Sequence, residues 1–296
     1  MKKQSTNYLL IFLTTLIVSS TEVTLKLIGH ATISGLQLNF WRFLIGGLFL
    51  LSLTKQKKIA LKSLPRILAL AFLFIVLSMT FYQLAIEQSN AFFVAVVFSL
   101  NPLFARVVDA LSGNISFRSL LVMLPSLIGL SFIVIPAVTN NFIGIFYAIA
   151  ASMLFGIYSW LNIRIGTTNS TLTNTAYTFI LGAFELYGIV TISHKLSPYS
   201  KIFEYFNLRM LTGVDWENIP SLLFLSIIVT AGGFFLYFIC QRRYPEVAHL
   251  IFFSKPAVSM IFSVLLLGEE VTMYSILGIF IIITSNLITL RRSLKS

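Results

Sequence analysis

Between Pro245 and Leu290 the chain runs apolar to Leu267, breaks at Gly268-Glu269-Glu270, and runs apolar again as far as Arg291-Arg292. At about 1.5 Å of rise per residue, each run is close to the length that crosses about 30 Å of hydrocarbon. The stretch predicts a transmembrane hairpin, and the rest of the chain repeats it. Ten apolar segments can be drawn: 8–28, 35–54, 66–85, 90–109, 118–136, 141–161, 171–192, 218–239, 246–267 and 273–290. Hydrocarbon offers no partner to a backbone N–H or C=O, so these runs must be helices; a β-barrel would alternate over segments of about ten residues. The fold class is therefore an all-α integral membrane protein of ten transmembrane helices, with both termini on one side.

Composition agrees. Hydrophobic residues make up 57% of the chain and charged residues 10%, with mean hydropathy +0.91, whereas a soluble domain carries about 25% charged residues. The formal charge of +11 would suit nucleic acid if it formed a basic domain. Instead the basic residues flank apolar runs, which makes them a topology signal and names lipid rather than nucleic acid as the neighbour. With the N-terminus cytoplasmic, the inside holds Lys2, Lys3, Lys55, Lys57, Lys58, Lys62, Arg66, Arg118, Arg164, Arg242, Arg243, Arg291, Arg292 and Lys295, against Lys195, Lys201 and Arg209 outside. That bias predicts N-in/C-in. Met1-Lys2-Lys3 precedes an apolar run without an A-x-A-like site, so the run reads as a retained first helix rather than a cleaved signal. A bacterial inner membrane is the expected location.

The two halves match in outline. Pro102 and Pro256 are 256 − 102 = 154 residues apart, and eleven residues before each an apolar run begins, at Ala91 and Pro245. Gly113-Asn114-Ile115-Ser116 follows the earlier run, and Gly268-Glu269-Glu270-Val271-Thr272 the later. Five helices per half is odd, so the halves must insert in opposite senses. The expected organisation is a first five-helix repeat over 1–137 and a second over 138–296, an inverted 5+5 arrangement that binds substrate between its halves. The second half carries a long external loop, 193–220, in which Lys201–Leu211 reads either as a short interfacial helix or as a linker.

Leu38-Asn39-Phe40-Trp41-Arg42-Phe43, the Asn101-Pro102 and Lys255-Pro256 pairs, and the run from Leu265 to Leu290 together resemble the EamA-like ten-helix branch of the drug/metabolite transporter superfamily. The resemblance covers essentially the whole chain. It implies a 5+5 inverted repeat, with helices one to four and six to nine around a central cavity and helices five and ten at the periphery. It also implies alternating access and export or exchange of small organic metabolites, often proton-coupled. The chain departs from that pattern at Ser19-Ser20-Thr21-Glu22, where relatives commonly show a Trp-Gly pair. It departs again at Gly113-Asn114 in place of Gly-Glu, and in the long external loop.

Away from the segment ends, four basic residues and two acids fall inside apolar segments, where a charge is expensive and usually faces protein or water. Glu22 and Lys26 lie one turn apart; they read either as a proton or cation site with a nearby lysine, or as a neutralised structural pair. Glu185 stands deep in the seventh segment with no basic neighbour in sequence, which suits a group that takes up a proton or meets a cationic substrate; the alternative is a pair with Lys255 or Arg42. Lys255 precedes Pro256, where the proline exposes a carbonyl near Phe252. With Asn101 before Pro102 it reads as an asymmetric substrate contact at the midplane, or as polar residues at two kinks. Arg42 reads as a gate, a substrate contact or a snorkelling side chain, and Arg106 as an interface anchor paired with Asp109.

Among the aromatics, Tyr82, Phe98, Tyr158, Trp160, Tyr177 and Tyr237 are the ones to test against substrate, with plain packing as the bland alternative. His249 reads as part of a proton route or as a helix contact. No G-x-x-x-x-G-K-[ST] loop and no metal-ligand spacing occurs, and Cys240 is the single cysteine. No cofactor or metal is therefore expected. The function read here is secondary transport of a small amphipathic metabolite such as an amino acid, with protons as an optional coupling ion. Organic cations and nucleotide-like or phosphorylated metabolites are alternative cargoes. A membrane enzyme using His194, Glu204, Asp215 and Glu217 of the loop, or a non-transporting scaffold, are readings of other classes; monomer and homodimer fit equally.

Overall fold

The computed structural model describes residues 2–29, 34–114, 121, 124–138, 142–164, 169–196 and 219–293. Its longer elements are helices: α1 (Lys2–Ser19), α2 (Thr21–Gly29), α3 (Gly35–Leu53), α4 (Leu64–Ala71), α5 (Met79–Gln88), α6 (Ala91–Phe98), α7 (Asn101–Leu111), α8 (Leu124–Val138), α9 (Phe142–Arg164), α10 (Thr171–Leu196), α11 (Ile219–Leu223), α12 (Gly233–Arg243), α13 (Pro245–Leu267) and α14 (Met273–Ser293). Among the described residues eight stretches are long and apolar enough to cross a membrane, some assembled from two consecutive helices. The fifth and tenth expected segments correspond to α8 and α14. The proposed interfacial helix within 193–220 lies outside the described residues, as do Glu204, Asp215 and Glu217.

Helix ends fall where the sequence supplies caps. Ser34 opens α3 with a capping box, its hydroxyl accepting from the Gln37 N–H while the Gln37 side chain accepts from the Ser34 N–H, which satisfies donors that a helix start leaves free. Pro245 begins α13, and Gly268 ends it at φ 65°, a left-handed conformation that costs glycine little.

Four departures from α geometry lie within the bundle. The first helix breaks at Ser20, where Thr15, Ser19, Ser20, Thr21 and Thr24 all donate their hydroxyls to carbonyls three or four residues back, bonding that bends helices. The fourth span breaks at Ser99-Leu100; there the Asn101 amide and the Ser152 hydroxyl both donate to the Phe98 carbonyl, at 2.8 and 3.0 Å. The third and eighth spans widen into π-helix over Phe72–Ser78 and Phe224–Gly232. Irregular backbone is tolerated at membrane depth only where protein or a cavity surrounds it. Pro102 and Pro256, expected to act as matching kinks, differ: Pro102 sits in the first turn of α7 after the break, whereas Pro256 lies within a continuous helix.

The main core joins α3 to α10 and the Phe224–Gly232 segment, α9 to α5 and α7, and α1 to α13. Gly156 lets α9 approach α7, since a Cβ there would sit 2.6 Å from the Asn101 carbonyl oxygen. By contrast α8 and α14 pair mainly with each other, crossing where Gly129 meets Gly278, a small-residue contact of the kind that brings membrane helices together. A second apolar cluster, including Phe92, Ile133, Phe253 and Ile282, attaches this pair to α6 and α13.

Candidate functional site

At one end of the bundle a cavity of about 310 Å³ is lined by Pro102, Arg106, Asp109, Trp160, Arg164, Tyr237, Gln241 and His249, among others. Asp109 pairs with Arg164 at 2.5 Å and accepts from Trp160 Nε1 at 2.8 Å. This corrects the expected Arg106–Asp109 pair: the Asp109 carboxylate is taken by Arg164 and Trp160, both arriving from α9. Trp160 is therefore a wall residue of this vestibule. Tyr177 lies farther out, donating its hydroxyl to the Lys57 carbonyl at 2.6 Å. The loop after α3 meets Asn169 and Thr173 at this same end.

Tyr237 forms the floor of the vestibule. Its hydroxyl meets Ser159 at 3.2 Å and Gln241 Nε2 at 3.1 Å, and Gln241 also donates to Ser159. The other face of its ring packs on Phe252 at 4.8 Å, with Phe155 beside both. Phe252 in turn lines a small void with Tyr82, Phe98, Met79, Thr21 and Lys255. One aromatic layer thus separates the vestibule from the interior. The void measures about 10 Å³, room for about one water. Tyr158 belongs to the supporting core, stacked on Phe74 at 4.4 Å.

Beyond that layer Lys255 Nζ lies 2.5 Å from Glu22 Oε1. Both residues are essentially inaccessible, at 1% and 0% exposure, and the ammonium sits 5.2 Å from the Phe98 ring and 5.7 Å from that of Tyr82. Tyr82 Oη is 3.5 Å from the same ammonium. The structure thus joins Glu22, Lys255, Tyr82 and Phe98 from four spans. Asn101 is equally buried, but its amide serves the broken helix.

The Glu22–Lys26 pair drawn from i,i+4 spacing does not form. Lys26 donates to the Ser89 carbonyl at 2.6 Å and lies 3.9 Å from Glu269. Glu269 accepts from the N–H groups of Ala91 and Phe92 at 2.7 and 3.1 Å, so it caps α6 while holding the end of α2. This latch ties α2 and the start of α6 to the turn after α13. Sequence reasoning missed it; the signal was an acid directly after a helix-terminating glycine.

Arg42 is fully buried, its Nη2 3.3 Å from Met79 Sδ and its guanidinium carbon 4.6 Å above the Phe43 ring. It therefore does not snorkel. Glu185 lines neither cavity and has one carboxylate oxygen buried without a hydrogen bond among the described residues; of its expected alternative partners, Lys255 is taken by Glu22 and Arg42 forms no ion pair among the described residues. His249 borders the vestibule beside Phe253. Among the described residues no group of three His, Cys, Asp or Glu could hold a metal ion.

The buried Glu22–Lys255 pair thus lies beneath the vestibule, separated from it by one aromatic layer. The sequence profile of the EamA-like transporter family matches residues 5–135 and again 142–291. The chain belongs to this family. As an EamA-like protein of the drug/metabolite transporter superfamily it is a transporter, not an enzyme. An uncharacterised transporter from Clostridium kluyveri is 24% identical over 306 residues, covering 98% of this chain and 94% of that protein. Another from Archaeoglobus fulgidus is 24% identical over 255 residues, covering 85% and 87%. A solved crystal structure with 16% identity superposes with a TM-score of 0.69 over 96% of this chain and 97% of its own, which fixes the likeness of fold. The apolar spans make the EamA-like chain an integral membrane protein in contact with lipid.

Proposed function

We propose that this EamA-like chain is a secondary transporter that exports or exchanges a small amphipathic metabolite of the amino-acid class by alternating access. The observation that carries the reading is the Glu22–Lys255 pair. An ammonium and a carboxylate held together out of water are the complement of a zwitterion, which can trade partners with both and leave neither charge bare. Tyr82, Phe98 and Phe252 supply the apolar wall for an amphipathic body. Proton coupling belongs to the same reading: protonating Glu22 would release Lys255, and Glu185 is a second carboxylate for the role.

Two inverted five-helix halves, 1–137 and 138–296, give the alternation its symmetry. Support comes from the two family matches and from the π segments, which begin 224 − 72 = 152 residues apart, close to the spacing of the two prolines. The vestibule lies at the end that carries Arg164 and the loop of Lys55, Lys57 and Lys58. The positive-inside bias makes that end cytoplasmic in a bacterial inner membrane, so the conformation is open inward.

The test is flux of labelled amino acids in proteoliposomes, at two pH values. Saturable flux is expected, abolished by Lys255→Met, with its pH dependence removed by Glu22→Gln or Glu185→Gln. Wild-type-like flux from Lys255→Met would sink the cargo site, and an unchanged pH profile in the Glu22→Gln/Glu185→Gln double variant would sink the coupling.

A further inference from the structure

The interior holds more positive charge than its own carboxylate answers. Glu22 is engaged by Lys255. Arg42 is as deeply buried, yet among the described residues it has no ion-pair partner, and its Nε and Nη1 have no hydrogen-bond partner. Its polar contact is the Met79 thioether, a weak acceptor for a group with five donors. Asn39, one turn before it, donates to the Met79 carbonyl at 2.8 Å and keeps a buried amide oxygen unused.

Met79 stands between the two cations. Its sulfur touches Arg42, and it also lines the void that Lys255 borders. Methionine is unbranched and adapts its rotamer easily, so this side chain can shift away from both the guanidinium it touches and the void it lines. A planar guanidinium fork is built to receive a carboxylate through two parallel bonds.

We infer that the cargo is an amino acid bearing one extra carboxylate, with net charge −1, whose additional carboxylate is received by Arg42 once Met79 moves aside. The inference rests on the transport reading above and narrows it. An acidic amino acid answers each buried group: its ammonium faces Glu22, one carboxylate Lys255 and the other Arg42. A simple zwitterion leaves Arg42 unanswered, and an organic cation adds to the surplus.

The experiment measures binding to the full chain in lipid nanodiscs, by calorimetry, with L-glutamate, L-aspartate, their neutral amides glutamine and asparagine, and choline as probes. The acids are expected to bind about tenfold tighter than their amides or more, the equivalent of one charge-assisted hydrogen-bond pair. Arg42→Gln should erase that preference, and Arg42→Lys should restore part of it. Equal binding of acid and amide to the wild type, an undiminished preference in Arg42→Gln, or no binding of any probe overturns the inference. A variant that fails to fold is bypassed by Met79→Cys in a Cys240→Ser background. There an anionic methanethiosulfonate should react faster than a cationic one and glutamate should protect; equal rates or no reaction count against the proposal. Saturable alanine flux that depends on Glu22 and Lys255, without any preference for acids, would leave the transport reading standing while this one falls. Acid binding without flux of any amino acid would do the reverse.

Discussion

Removing either partner of the Glu22–Lys255 pair leaves the other charge buried and bare. Lys255→Met alone should destabilise the protein by about 3–5 kcal/mol, while adding Glu22→Gln should recover much of the loss. Thermal unfolding in detergent checks this: a double variant no more stable than the worse single one would mean that the two side chains do not act together. That Glu22, Lys255 and Arg42 would be buried charges was legible in the sequence, because charges at hydrocarbon depth are few. Their partners were not. Spacing along one helix reports only neighbours at three and four residues, and it suggested Lys26 for Glu22. The true partner sits on α13, and Lys26 reaches instead to Ser89 and Glu269. The aromatics divide for the same reason. Tyr82 and Phe98 line the central void, whereas Tyr237 and Trp160 line the vestibule and Tyr177 bonds the loop beyond it, and a helix that is apolar all round carries no facing signal to separate them.

Glu269 acts between elements. It caps α6 through two backbone N–H groups and faces Lys26 at the end of α2. Glu269→Gln should cost about 1 kcal/mol, the usual worth of a cap, and loosen the closed end. Faster amide hydrogen exchange over Ala91–Val94 in the variant is the readout, and unchanged exchange would deny the latch. Segment boundaries were legible from hydropathy, mostly to within a few residues, because water-facing and lipid-facing residues differ so sharply. The breaks at Ser20 and Ser99-Leu100 were less so. They arise from hydroxyl and amide groups competing for backbone carbonyls, and many serines and threonines sit in straight helices. The π segments carry no proline or polar residue at their start, and nothing in Phe72-Leu73-Phe74 announces one.

At the scale of the whole molecule, the proposed alternating access makes the vestibule the open side and the Glu269 contacts the closed side. Ala105 lines the open end. In a Cys240→Ser background, Ala105→Cys should react with a membrane-impermeant maleimide in inside-out vesicles and stay unlabelled in right-side-out ones. The opposite pattern would reverse the assigned orientation. The helical class and the approximate number of spans could be read from the chain because length and hydropathy suffice for both. Which end stands open could not, since that depends on whether α2, α6 and the Glu269 turn touch. That contact is a property of one conformation rather than of composition.

Phe72–Ser78 winds more widely than the α-helix on either side of it, so it holds a residue in excess. Letting that residue slip would swivel everything after it, Met79 and Tyr82 included, by about 100° about the helix axis without unravelling a turn. Phe224–Gly232 offers Phe234 and Tyr237 the same slack on the facing helix. Two such half-hidden gears, one in each half of the chain, would let side chains rotate out of the path while both ends of their helices stay anchored in the membrane.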